Sequence, residues 1–555
     1  MIRDNINIFK NLTYLFFFLF FLTGVLTFKD YGISIDEEFQ RSSGLYWLSY
    51  ILNFTPFDQF ANEVFQKFQQ SKGFTISDAE FHKYYGVIFD LPAAFLEIMF
   101  KIDDPRDYFY LKHFLTFSLF FIGSIFFYKL LINRFSSNLI ALVGTIFFVL
   151  SPRIYGNSFY NPKDIIFLSI LSIAIYFCFK VIDKSTYKNF FIFSIFCALA
   201  ASQRMWGIFL PISFLGFYLL SVLSKKREVE QIPGIVLFCF SFFFFLIVFW
   251  PYLWSGPIFN FIEAFKYFSY HSTLDKIQIL FNGDYIRAKY VPYSYIPLWI
   301  LITTPILYIF LFIFGYINIF KRFFLKFLNI RENKIYNDLW RGSNEKKDLF
   351  IIFNFSFILF YLMFFNISIF TGWRHLYFMN IFIVYIACYA FYIISIKLKK
   401  KFQKKLFLSF IFIYFFFVAY KMFIYHPFQN IFFNSVFNKI TGNIHTKFEI
   451  DYWGLSGKNF LEKILSLERK KTSINVASAS FVPLERSKKL LSSKDRDKIK
   501  IVGQEYDKAD YIFLNFTSEV NKNFNDKYEI PPNFEKISSL VIDNIVVYEV
   551  YKNNK

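Results

Sequence analysis

Long apolar runs separated by short polar loops occupy the first 425 positions of the chain. About eleven of them read as membrane helices, near 8–28, 110–132, 138–151, 164–182, 188–203, 206–223, 232–252, 296–320, 349–370, 375–396 and 405–425. The third and fifth are short and end at Pro or polar residues suited to facing a cavity rather than lipid. Two regions break the pattern. Between 29 and 109, "DEEFQRSSGLYWLSYIL" and "DAEFHKYYGVIFDLPAAFLEIMF" set apolar residues on one helical face and charges on the other. That suits helices lying in the membrane interface, or packed helices of a small insert. After the last run, 427–555 mixes helix-like "DYWGLSGKNFLEKILSLE" with strand-like "TSINVASAS", "KIKIVG", "ADYIFLNF" and "LVIDNIVVYEVYK". The fold class expected is therefore a polytopic α-helical membrane protein (domain 1–425, with 29–109 as its first outer loop) carrying a small C-terminal α/β domain at 427–555.

Composition sharpens this. With 55% hydrophobic residues spread in runs of about 20, the chain matches a hydrocarbon layer rather than a soluble core. A net charge of +20 raises the question of nucleic acid, but the charge lies in short loops between apolar runs and argues against it. With a cytoplasmic N-terminus, the inner segments carry 24 Lys and Arg in about 72 residues and the short outer segments 8 in about 65. The threefold bias sets the first acidic loop and the C-terminal domain outside. The four cysteines, Cys178, Cys197, Cys239 and Cys388, all fall in predicted spans and form no metal or disulfide pattern. The first run is too long for a signal-peptide core and lacks a small-residue cleavage site, so it reads as a retained helix.

Five polar stretches then fall on one side of the membrane: "SIDEE" after the first span, "SPRIYGNSFYNPKD", "SQRMWG", "WPYLW" and "FTGWRHLYF". Ionisable groups at depth cost roughly 2.5–3.5 kcal/mol each at a helix centre unless paired or hydrated. Five clusters on one face imply a hydrated cavity opening outward.

An Asp-Glu pair just after the first span, a second Asp heading the fourth and a basic residue between the fifth and sixth together resemble the GT-C superfamily of polyprenyl-phosphate-dependent glycosyltransferases. The nearest branch holds protein O-mannosyltransferases (glycosyltransferase family 39) and lipid A aminoarabinose transferases. The resemblance covers about 1–425 and rests on order and sidedness, not on one motif. It implies an inverting transferase of the bacterial inner membrane. Such an enzyme moves a sugar from a polyprenyl-phosphate donor to a lipid, glycan or protein acceptor at the outer face. Asp36 lands on the family's catalytic base. A carboxylate in reach of an acceptor hydroxyl is worth about 10²–10⁴-fold. Glu37 lands on the second acid, which supports the first or holds the acceptor; Glu38 has no assigned role. Asp164 matches the second-loop Asp, which orients the acceptor or, in some relatives, helps hold a divalent cation; a plain helix N-cap is its bland alternative. Arg204 stands where relatives keep a basic residue against the donor phosphate, and Arg374 and His375 are further phosphate candidates. Snorkelling to the interface is the alternative for either Arg. Arg153 and Lys163 rank behind them.

His82, His113 and His271 sit at no metal-ligand spacing. The sequence therefore requires no cofactor and names no metal site, although carboxylates could take a divalent cation. Trp and Tyr at span ends read first as interfacial anchors. Two other functions remain open at this stage: a transporter or flippase of a lipid-linked substrate, and a ligase using a diphosphate-linked donor. The first needs polar groups near mid-membrane and an internal repeat, and neither is apparent.

Overall fold

The computed structural model describes residues 6–71, 83–224, 230–269, 277–328, 340, 342–365, 367–517 and 526–554. His82 and His271 lie outside these. The chain runs α1 (Ile6–Thr27), α2 (Glu37–Leu52), α3 (Asp58–Gln70), α4 (Asp90–Met99), α5 (Pro105–Phe135), α6 (Asn138–Val149) and α7 (Pro152–Tyr160). It continues through α8 (Asp164–Asp183), α9 (Tyr187–Gln203), α10 (Phe209–Ser224), α11 (Ile232–Phe249), α12 (Pro257–Ser269), α13 (Tyr295–Thr303) and α14 (Ile306–Leu328). Then come α15 (Ser343–Phe365), α16 (Asn380–Lys397), α17 (Lys401–Ile424) and α18 (Ser435–Thr441).

Among the described residues, nine helices are long and apolar enough to cross a membrane, and the bent pair α6–α7 makes ten. With the 17-residue α9, packed between α8 and α11, they account for the eleven predicted runs. This is an integral membrane protein of many helices. Two runs are shaped by proline. Ser151 is extended before Pro152, and the chain bends 65° between α6 and α7. Thr304, extended before Pro305, splits the predicted run 296–320 into α13 and α14.

The nine residues of α7 ("PRIYGNSFY") are all buried at one end of the bundle, here termed the site end. The opposite end is tied by a buried fork in which Arg134 of α5 donates to both Asp348 carboxylate oxygens at 2.7 and 2.5 Å. Tyr385 of α16 donates to the same carboxylate at 2.8 Å.

In the first loop, α2, α3 and α4 share a small core of Leu45, Leu48, Val64, Phe68, Ala94 and Ile98. Of the two expectations for this loop, helices in the interface or packed helices of a small insert, packing is what α2 displays. Its polar residues Glu37, Glu38, Gln40, Ser42 and Ser43 are buried as well, because the C-terminal domain and α5 cover the face that the pattern leaves polar.

The C-terminal region adds α19 (Ser456–Leu467), α20 (Leu484–Lys488) and α21 (Ser493–Lys498). A small hairpin, β1 (Gln278–Phe281) and β2 (Asp284–Arg287), precedes α13. The C-terminal sheet is formed by β3 (Ile474–Ser478), β4 (Ile499–Ile501), β5 (Tyr511–Leu514), β6 (Phe534–Ile542) and β7 (Ile545–Asn553). Its order is β4-β3-β5-β7-β6, parallel from β4 through β5 and antiparallel beyond. The central strand β3 is buried along most of its length, as expected of a strand covered on both faces.

Candidate active site

The segment after α1 is pinned before it reaches its first acid. Tyr31 stacks on Phe159 at 4.3 Å and donates to Gln429 at 3.1 Å, while Ser34 Oγ donates to the Tyr160 carbonyl at 2.8 Å. Gly32 lies so close to the Leu455 backbone that any Cβ would collide with it.

Asp36 then occupies the N-cap position of α2, yet its side chain makes no capping bond. Its Oδ2 instead accepts from Arg374 Nη1 at 2.6 Å, across 338 positions of sequence. Burial works to raise the Asp36 carboxyl, but Arg374, with Lys163 and Arg204 behind it, outweighs burial and holds it below the ordinary carboxylate range.

Asp164 opens α8, and its role as a plain cap is taken by a neighbour. Asn161 Oδ1 accepts from the Asp164 amide at 3.0 Å, and its amide nitrogen donates to Asp164 Oδ2 at 3.0 Å. Asp164 Oδ1 is left to pair with Arg204 Nη2. Arg204 is placed by the end of α9, against which Gly86 packs too tightly to accept a Cβ. Lys163 sits with its ammonium 3.4 Å from the centre of the Tyr85 ring. Burial and the charge of Arg204 push it well below the usual lysine range, while Asp36, Asp164 and Asp90 pull the other way.

Arg374 lies 4.6 Å from the Trp453 ring and 5.3 Å from Phe370. His375 packs edge-on to Phe370 at 4.7 Å, within electrostatic reach of Arg374, Arg204 and Lys163.

Of the predicted site residues, the structure thus joins Asp36, Asp164, Arg204, Arg374 and His375. Glu37 is the exception. Its Oε2 accepts from the Ser34 amide at 2.6 Å and its Oε1 lies 3.1 Å from Nε2 of His113, both groups being buried against α5. That carboxylate braces the turn ahead of α2 rather than reaching Arg374, a placement from which it supports Asp36 through the backbone. One residue of helix advance turns a neighbouring side chain by about 100°, which separates Glu37 from Asp36.

Glu38 acquires a role that sequence left blank. Arg486 Nε donates to its Oε2 at 2.9 Å, and Lys489 pairs with its Oε1. Lys458 donates to the Lys29 carbonyl at 2.6 Å, and Arg496 pairs with Asp104 at 2.7 Å. The C-terminal domain therefore grips the loop that carries Asp36.

Three further neighbours were not foreseen. Tyr85, Trp453 and Glu449 enter from the first loop and from the segment after α18, where no motif marks them. Glu449 keeps a buried Oε2 without a hydrogen-bond partner among the described residues, and burial, opposed by Arg374, lifts its carboxyl to about 8.

Three cations thus face two carboxylates, each already held by a guanidinium. That donor set suits an anion; among the described residues no group of three or more His, Cys, Asp or Glu that could hold a metal occurs. Among the described residues, Arg204 Nε and Arg374 Nε are buried without hydrogen-bond partners, so donors remain for a phosphate.

Residues 91–254 match the family described as dolichyl-phosphate-mannose-protein mannosyltransferase. The matched stretch holds Asp164 and Arg204; Asp36 and Arg374 lie on either side of it and join them only in space. No curated protein matches the chain. Among solved structures, the chain is similar to ArnT from Cupriavidus metallidurans bound to undecaprenyl phosphate, at 10% identity over 97% of both chains with a TM-score of 0.46. Over 91–254, then, the chain is similar to a family of mannosyltransferases that draw on a lipid-phosphate sugar.

Proposed function

We propose that the protein is an inverting glycosyltransferase that moves a sugar from a polyprenyl-phosphate donor to an acceptor hydroxyl, with Asp36 as general base. The observation that carries the reading is the Asp36–Arg374 pair set beside Asp164–Arg204 and Lys163. In the free protein, Arg374 keeps Asp36 ionised but weakly basic. A donor phosphate that draws the Arg374 guanidinium toward its own oxygens removes part of that stabilisation, and Asp36 becomes a stronger base as the donor arrives. The acceptor oxygen attacks the anomeric carbon while its proton passes to Asp36. The bond from that carbon to the phosphate oxygen breaks on the opposite face, which inverts the centre. Arg374, Arg204 and Lys163 stabilise the charge that gathers on the departing lipid phosphate. Asp164 holds Arg204 in place for this.

In this reading the site opens at the outer face of a bacterial inner membrane with the N-terminus cytoplasmic, consistent with the Lys and Arg bias of the loops. The charged groups lie at the ends of α8, α9 and α16 rather than in mid-helix, which favours surface chemistry over transport.

Asp36→Asn tests it. Transfer to acceptor in vesicles supplied with polyprenyl-phosphate sugar is expected to fall about 10²–10⁴-fold, with expression and membrane insertion intact. Turnover like that of the wild type would remove Asp36 from the role of base.

A further inference from the structure

A cavity with several polar side chains in its lining lies at the opposite end of the bundle, far from the acids and guanidinium groups described above. Its volume is about 370 Å³, and it opens between α1, α5, α6 and α8. Lys10, Lys129 and Lys180 converge on it from three helices, with Asn133, Asn138 and Tyr128 among the lining groups. None of the lining residues is Asp or Glu.

Each lysine rests near an aromatic ring of its own helix, at 6.0 Å for Lys10 over Tyr14, 4.6 Å for Lys129 over Phe126 and 5.8 Å for Lys180 over Tyr176. None forms an ion pair among the described residues. The carboxylate bonded to the lining is Asp183, which accepts from Asn133 at 2.7 Å, and Lys347 already neutralises it at 2.6 Å. Tyr128 donates to Asn138 at 3.0 Å and closes one wall. Three ammonium groups with no ion-pair partner among the described residues, set around one concave space, repel one another unless an anion sits between them.

The surroundings name the kind of anion. Tyr14, Tyr128 and Tyr176 line the cavity about two turns from the ends of their helices, and Tyr near the ends of membrane helices is the residue type that sits at the level of lipid headgroups. The outward face of α1 is apolar and exposed at Leu15, Phe18 and Leu22. An anion carrying acyl chains therefore satisfies both halves of the site, with its headgroup among the lysines and its chains along α1. A soluble anion uses only the first half. Basic pockets between membrane helices are an established way of holding acidic lipid headgroups.

We infer that this cavity is a binding site for the phosphodiester headgroup of an anionic phospholipid, separate from the transferase site and independent of the reading given to it.

The test uses the full chain in detergent, equilibrated with radiolabelled phosphatidylglycerol. The wild type is expected to bind it saturably. Phosphatidylcholine should compete weakly and millimolar inorganic phosphate should not displace the lipid. Substituting Lys10→Gln, Lys129→Gln and Lys180→Gln together should weaken binding about a hundredfold, or about fivefold for each lysine. A control with Lys399→Gln, Lys400→Gln and Lys401→Gln removes equal charge from another loop and should bind as the wild type does. Should the cavity triple not purify as a monodisperse protein, the single Lys129→Gln and Lys180→Gln variants carry the same expectation at fivefold. Unchanged affinity in the cavity variants, or an equal loss in the control, overturns the site. Displacement by free phosphate at the concentration where lipid competes overturns the lipid assignment.

Discussion

Glu38 lies two residues beyond the proposed base and is held by the C-terminal domain, so removing its charge separates docking from chemistry. In Glu38→Gln the loss falls mainly on the Arg486 contact. Glu38 and Arg486 are both nearly excluded from solvent, and Arg486 already has two guanidinium nitrogens without partners. Lys489 is 38% exposed at its side chain, so its share is small, roughly 0–1 kcal/mol. Breaking one side of a buried pair costs about 3–5 kcal/mol, because the remaining charge is stranded. Taking about 3 kcal/mol, the population in which the domain lifts from the loop rises about 150-fold.

Limited proteolysis between α17 and α19 reads that population when opening is fast relative to cleavage. Glu38→Gln combined with Arg486→Met should recover most of the protection, since no charge is then left stranded. Acid should mimic the single substitution. Burial pushes the Glu38 carboxyl up, but Lys489 and Arg486 hold it below its ordinary 4.5. The contribution of the pair is therefore complete above that value and is lost as pH falls through the lower folded one. Cleavage of Glu38→Gln within twofold of wild type would refute the reasoning. So would a double variant whose losses simply add.

Other expectations follow from the same geometry. Glu37→Gln should lower thermal stability by about 1–3 kcal/mol through the buried Ser34 and His113 contacts, while turnover of the folded enzyme stays within a few-fold; a loss as deep as that of Asp36→Asn would place Glu37 in the chemistry itself. Glu449 is protonated below about 8 in the fold and titrates near 4.5 when unfolded, so its burial costs stability progressively as pH rises between those values. Glu449→Gln should therefore match the wild type at pH 4.5 and melt higher at pH 9, and equal melting at both would remove the buried-carboxyl account. Gly32→Ala forces a Cβ into the Leu455 backbone and should cost about 1–3 kcal/mol, read as a lower melting temperature with the transfer rate falling alongside it.

The membrane spans were legible because each must present about 20 apolar residues to lipid, a demand that local composition alone meets or fails. Asp36, Asp164, Arg204 and Arg374 stood out as charges in polar stretches beside apolar spans, and it was the resemblance to a known family that singled them out as candidates. What sequence left undecided depended on contacts between distant segments. Asp36 and Glu37 are adjacent acids with nearly the same local pattern, and only the packing of α2 against α5 and the C-terminal domain directs one to Arg374 and the other to His113. Glu38 found its partners 448 and 451 positions away, and Glu449 reached Arg374 from beyond the last span. Hydropathy is a property of each segment by itself. The partner of a buried charge is a property of which segments meet, and tertiary structure alone decides that.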